Sequence, residues 1–226
     1  MRKSEAPTTS AQSAHSTQSV PPSAAVAASW SAISEVGAPS PRWRPAAVWT
    51  GTHLLIWGGE DFGTFPTTGG RYDPMTDSWS PMTEVDAPMS RQGAAAVWTG
   101  NEMVVWGGAR VVPAYENTGG RYNPLTDTWT PTSLVDAPTA RASHSWVWTG
   151  DVMIVWGGGD GIASFQSGGS YDPAADTWVP TSTVSAPSAR GWQSAVWTGS
   201  RMVVWGGNSS GLQNTGGRYD PATDTW

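Results

Sequence analysis

Few side chains in this sequence are equipped for chemistry. The chain has no cysteine, so thiolate nucleophiles, thiolate metal ligands and disulfides are excluded together. Its histidines are His15, His53 and His144, too far apart in the chain to read as a metal site. His144 lies between Ser143 and Ser145, but neighbours on a strand point to opposite faces, so the trio is no catalytic triad. Glu60, Asp61, Glu116 and Asp160 could supply an acid/base pair if their loops met. The side chains suited to binding are more numerous. Trp43, Trp192, Phe65, Tyr115 and Phe165 offer flat faces that stack on a sugar or anchor a peptide. Arg44 and Arg110 can clamp a carboxylate or a carbonyl, and His144 and Gln193 add hydrogen-bonding groups. These side chains, with the four carboxylates, form the candidate ligand set; no cofactor or metal is expected.

The elements that must position them follow from an internal period. Trp-Gly-Gly begins at Trp57, Trp106, Trp156 and Trp205. A Trp-Thr-Gly precedes each, at Trp49, Trp98, Trp148 and Trp197. Tyr-(Asp/Asn)-Pro begins at Tyr72, Tyr122, Tyr171 and Tyr219, and a further Trp follows at Trp79, Trp129, Trp178 and Trp226. The unit is about 49 residues long and reads as four short strands. The first covers about 45–50 and the second about 53–57, joined by a Thr-Gly turn. The third surrounds Arg71 and Tyr72, and the fourth starts near Trp79 after an Asp-Pro-x-x-Asp turn. The second strand is apolar without alternation (MVVW at 103–106, MIVW at 153–156), the pattern of a strand covered on both faces. A single unit cannot supply both covers, so successive units must pack on each other.

A glycine doublet after an apolar strand, followed by Tyr and Trp with six residues between them as in Tyr72-x6-Trp79, resembles the kelch repeat. The resemblance covers residues 30–226. It implies an all-β propeller of four four-stranded blades around a central channel, with repeats at about 37–86, 87–136, 137–185 and 186–226. Trp30 precedes Pro39 by the same nine residues that separate Trp79 from Pro88. Residues 30–36 are therefore expected to be an outer strand completing the last blade, in cis or, in a homodimer, by ring closure in trans. Residues 1–29 read as a low-complexity tail rich in Ser, Thr, Gln and Pro.

Antiparallel strands send the two sets of connections to opposite faces. The turns between third and fourth strands are near copies (DPMTD, NPLTD, DPAAD, DPATD) and read as architecture. The loops after Trp-Gly-Gly differ (EDFGTFPT, ARVVPAYEN, GDGIASFQ, NSSGLQ), as do the approaches to each first strand. Function is expected on that unequal face, at the channel mouth. Arg42, Arg91, Arg141 and Arg190 recur and are expected to tie down the inter-blade connection through carbonyls or an aspartate such as Asp86 or Asp136. Trp146 replaces an alanine of the other repeats and is expected to repack the core.

The net charge is −6 and no basic stripe is present, so a nucleic-acid partner is not expected. No apolar run reaches membrane-spanning length. Arg2 and Lys3 hint at a secretory leader without its apolar segment, so the lean is toward an extracellular or envelope location without a clear signal peptide. The reading is a binding scaffold for a protein, peptide or glycan rather than an enzyme. The alternatives are a carbohydrate-active enzyme using the loop carboxylates, or a spacer module of a surface protein.

Overall fold

A computed structural model describes residues 29–111 and 114–226, so the expected tail lies outside the described residues except for its last position. Ile33–Trp226 forms one compact unit, and the strands of the described residues lie in it. Blade 1 consists of β1 (Ala46–Trp49), β2 (Leu54–Trp57), β3 (Gly69–Asp73) and β4 (Ser78–Met82). Blade 2 consists of β5 (Ala95–Trp98), β6 (Met103–Trp106), β7 (Gly119–Asn123) and β8 (Thr128–Pro131). Blade 3 consists of β9 (Ser145–Trp148), β10 (Met153–Trp156), β11 (Gly168–Asp172) and β12 (Thr177–Pro180). Blade 4 has β13 (Ser194–Trp197), β14 (Met202–Trp205) and β15 (Gly216–Tyr219). Each sheet is an antiparallel meander in chain order, and the first strands β1, β5, β9 and β13 are neighbours in that sequence.

Local chemistry sets the turns. Thr50 Oγ1 accepts the N–H groups of Thr52 and His53 and so closes the hairpin in which Trp49 pairs with Leu54. Thr99 and Thr149 do the same in blades 2 and 3, and Thr198 accepts the Arg201 N–H in blade 4. The second aspartate of each Asp/Asn-Pro-x-x-Asp turn is left-handed (φ 50° to 53° at Asp77, Asp127, Asp176 and Asp224).

The core is divided among the joints between blades. One cluster joins Ala46, Val48, Leu55 and Trp57 of blade 1 to Met103, Val105, Tyr122 and Trp129 of blade 2. The same positions recur between blades 2 and 3 and between blades 3 and 4. At each joint the β2-type Trp meets the fourth-strand Trp of the following blade. Ring centroids are 5.4 Å apart for Trp57–Trp129, 5.0 Å for Trp106–Trp178 and 5.1 Å for Trp156–Trp226. That second Trp also stacks on the Tyr of its own blade, as in Tyr122–Trp129 at 5.1 Å. Burying one such Trp removes roughly 200 Å² from water, an upper contribution of about 5 kcal/mol.

A polar latch runs beside the stack. Asp127 Oδ1 accepts the Tyr122 hydroxyl at 2.6 Å and the Thr83 N–H at 3.0 Å, while Trp129 Nε1 donates to the Thr83 carbonyl at 3.1 Å. Both backbone groups of one linker residue are thus held by the next blade. Ser133 is held in this way by Asp176 and Trp178, and Ser182 by Asp224 and Trp226. The near-identity of these turns is therefore architectural.

The structure corrects one expectation. Blade 4 has three strands, and β15 is its edge. Residues 33–36 carry no strand; Ser34 instead occupies the latch of blade 1, its N–H on Asp77 Oδ1 and its carbonyl on Trp79 Nε1. The phase read from Trp30 holds, because Ser34 is the counterpart of Thr83, Ser133 and Ser182. Trp205 is 60% exposed and Val196 58%, where Trp57, Trp106 and Trp156 are fully buried.

Tyr171→Phe removes a 2.6 Å hydrogen bond to Asp176 without changing the stack. A hydrogen bond to a charged acceptor is worth about 1.5–3 kcal/mol. Urea unfolding should show that loss as a lower midpoint with an unchanged slope.

Candidate functional site

The arginines that recur in every blade place the loops of the unequal face. Arg91 Nη1 donates to the carbonyl of Thr118 and Nε to that of Met89, and Arg141 spans Thr139, Gly157 and Ser167. Arg42 and Arg190 repeat the pattern with Gly58 and Thr68, and with Gly206 and Thr215. The expected carbonyl clamp is present; Asp86 and Asp136 play no part in these hydrogen bonds. Arg91 and Arg141 are almost fully buried, and desolvation lowers each to about 10, so both remain charged at neutral pH. Among the described residues no carboxylate forms an ion pair with these buried guanidinium groups.

Past each clamp the chain makes one more ladder contact before its first strand: Trp43 with Glu60, Gln92 with Ala109, Ala142 with Gly159 and Gly191 with Asn208. The next residue is left-handed in every blade: Arg44 (φ 51°), Gly93 (φ 62°), Ser143 (φ 58°) and Trp192 (φ 62°). Gly93 is the residue type this backbone favours. Arg44 and Trp192 carry large side chains there at a cost of about 1 kcal/mol or more each. They meet: the Arg44 guanidinium lies 4.7 Å from the centre of the Trp192 ring and 5.5 Å from that of Trp43. Gly93 makes room, since a β-carbon there would sit 2.8 Å from Arg44 Nη2. Both indoles remain open, Trp43 at 62% and Trp192 at 64% exposure. Burial lowers the Arg44 pKa, with Glu60 opposing the shift.

The other expected residues occupy three neighbouring recesses. Trp43, Glu60 and Asp61 line one of about 350 Å³. Phe65 and Arg110 share another of about 310 Å³. Tyr115 and Trp192 line a polar groove of about 410 Å³ with Ser143 and Asn208. The last two were missed in the sequence; Ser143 was legible as the counterpart of Arg44 and Trp192. Phe165 lies under the Arg141 guanidinium at 4.6 Å. The carboxylates are engaged locally. Glu60 takes the Gln92 amide, Glu116 pairs with Arg110 at 2.7 Å, and Asp160 caps its own loop through the N–H groups of Ile162 and Ala163. Those loop hydrogen bonds hold Asp160 below the usual carboxylate range.

Two expected surface residues are placed inside the protein instead. His144 is buried, 5.4 Å from the ring centre of Trp106 and 5.9 Å from that of Trp146, with neither ring nitrogen hydrogen-bonded. Gln193 is buried at the equivalent site and donates to Ser145 Oγ and the Trp156 carbonyl. Both side chains turn into the blade joint because the residue before them has consumed the left-handed turn. Trp146 is not core: it is 37% exposed and donates to the Ala96 carbonyl of the preceding blade at 3.0 Å.

A recess of about 460 Å³ is on the opposite face between blades 1 and 2 and includes Thr52, His53 and Asn101. A similar recess of about 350 Å³ recurs between blades 2 and 3 with Asn101, Gly150 and Asp151. Its recurrence at two joints marks it as a gap left by the repeat. Among the described residues, no group of three or more His, Asp or Glu could hold a metal, and no helix is long and apolar enough to cross a membrane.

The family model described as the KLHDC2/KLHL20/DRC7 Kelch-repeats domain matches residues 44–226. The chain belongs to the kelch-repeat family. A search of curated proteins finds no match. Membership agrees with the blades, the paired glycines and the Tyr–Trp stack, and it makes this kelch array a protein-interaction scaffold.

Burial, and secondarily the charges of Arg141 and Arg44, lower His144 from 6.5 to about 3. The unfolded chain takes up this proton as pH falls below about 6.5 and the folded chain does not, so stability is lost on acidification toward 3. His144→Gln, which installs the side chain found at Gln193, should abolish about 2 kcal/mol of the destabilisation between pH 7 and pH 5. Parallel urea titrations of both proteins at the two pH values measure the difference.

Proposed function

We propose that the kelch array binds a protein or peptide segment across the mouth of the channel, anchored by Trp43, Arg44 and Trp192. The observation that supports this most is the pair of large side chains held on a left-handed backbone that suits glycine, with both flanking indoles left open to solvent. An exposed Trp–Arg–Trp stack offers apolar faces and cationic edges to a chain with aromatic or acidic residues. Phe65, Arg110, Tyr115, Glu116 and Phe165 would extend the surface around the mouth. Local engagement of Glu60, Glu116 and Asp160 favours binding over hydrolysis. A glycan is the second reading, favoured by the open faces of Trp43 and Trp192, which suit stacking on a sugar ring.

A peptide array and a glycan array, screened in parallel, identify the ligand class. Trp192→Ala and Arg44→Ala should each weaken the selected ligand by about 2 kcal/mol, some thirtyfold, with little change in melting. Thr76→Ala, in an exposed turn of the opposite face, should leave binding unaltered. Equal losses from the two faces would refute the mouth as the site.

A further inference from the structure

The groove of about 410 Å³ beside Trp192 differs from its neighbours in what lines it. The recesses of about 460, 350 and 310 Å³ each include a charged side chain, among them Arg71, Asp151, Asp61 and Arg110. The groove has none. Its polar side chains are Tyr115, Ser143, Ser164, Trp192, Asn208 and Ser209, set among glycine and alanine. They come from three blades. The Tyr115 hydroxyl reaches over from the loop of blade 2 and stands beside Gly161 of blade 3. Ser143 and Ser164 belong to blade 3, and Trp192 and Asn208 to blade 4.

The hydrogen-bonding capacity of this lining is unspent. Among the described residues, nothing in the protein partners the hydroxyls of Tyr115, Ser143 and Ser164, the Asn208 amide or Trp192 Nε1. Polar groups nearby that lie outside the groove are used. Ser167 Oγ accepts Arg141 Nη2, Gln193 donates to Ser145 Oγ, and Asp160 caps its own loop. The backbone is used as well. The N–H groups of Ala142, Gly159, Gly191, Trp192 and Asn208 all donate within the protein, so they offer no open edge for a peptide to join as a strand. An apolar side chain in the groove would strip water from the hydroxyls and the amide and give them no partner. A carboxylate or an ammonium group would find no opposite charge. A sugar ring meets both demands: its hydroxyls donate and accept as the lining requires, and its C–H face suits an indole.

We propose that this groove is a subsite for a neutral sugar, with Trp192 as the stacking face and Tyr115, Ser143, Ser164 and Asn208 as the groups that read its hydroxyls. Its volume of about 410 Å³ is within the roughly 300–1,000 Å³ of small-molecule clefts. The inference rests on the glycan reading given above and adds to it the place, the neutral class and the residues. Trp192 is common to the groove and the peptide anchor; Ser164 and Asn208 belong to the groove alone.

Calorimetric titration of the 226-residue chain with neutral oligosaccharides of glucose, galactose, mannose and N-acetylglucosamine tests it, with uronic acid oligomers as the charged counterpart. At least one neutral series should bind, and the uronates more weakly. Asn208→Ala and Ser164→Ala should each weaken that sugar about two- to tenfold, the range for one hydrogen bond, with unchanged melting. Trp192→Ala should weaken it further. Neither Asn208→Ala nor Ser164→Ala should alter the affinity of a peptide selected on the array. Saccharide binding that both variants leave intact would overturn the groove and spare the glycan reading. Tighter binding of the uronates would overturn the neutral class. No saccharide binding at all would overturn the inference together with the glycan reading. A peptide weakened by both variants, with no sugar bound, would assign the groove to the peptide and overturn the inference while the mouth reading stood.

Discussion

Everything in this structure depends on one contact, the packing of a Trp from the second strand of a blade against a Trp from the fourth strand of the next. A blade of short strands has two apolar faces and no means of covering either. The ordering cost of about 49 residues is repaid only when the faces are pressed together. The indole pairs bring the largest apolar area to that joint, and the Tyr behind each pair stacks on the fourth-strand ring of its own blade. The latch of Asp, Tyr hydroxyl and Trp Nε1 fixes the linker by both its N–H and its carbonyl. The paired glycines belong to the same contact: a β-carbon at Gly120 would lie 2.5 Å from Pro88, so the linker proline can rest on the third strand only where the side chain is missing.

The mouth is an outgrowth of this frame. The arginine clamps bind carbonyls from two segments at once and hold the unequal loops at a fixed height. One left-handed residue per blade then decides what stands beside the unequal loops and sends its successor into the joint. Variation at that residue changes the surface without touching the stack. This explains how a strongly repeated array presents a surface with no repeat in it, with Arg, Gly, Ser and Trp at the four equivalent places.

Much of this was legible in the residues. The period, the four strands per unit, the role of the near-copied turns and the carbonyl clamp follow from spacing and side-chain type. The latch was half legible: the aspartates read as turn residues, but their hold on the preceding linker joins positions 44 residues apart and needs the fold to be seen. His144 and Gln193 were misplaced because their orientation is set by the φ of the residue before them, which sequence does not reveal at Ser143 or Trp192. Residues 30–36 were placed in phase correctly, as the position of Ser34 shows, but the expected strand pairing with β15 is not present, because periodicity gives position along the repeat and not whether the strand pairs.

The central claim is that the Trp–Trp contact couples one blade to the next. A double-mutant cycle in urea unfolding, on Trp106→Leu and Trp178→Leu, tests it most directly. Aromatic pairs contribute about 0.5–1.5 kcal/mol beyond their buried area, so a coupling of about that size is predicted. Trp57 and Trp178, which belong to different joints, should show almost none. Equal coupling in the two cycles, or none between Trp106 and Trp178, would contradict the account.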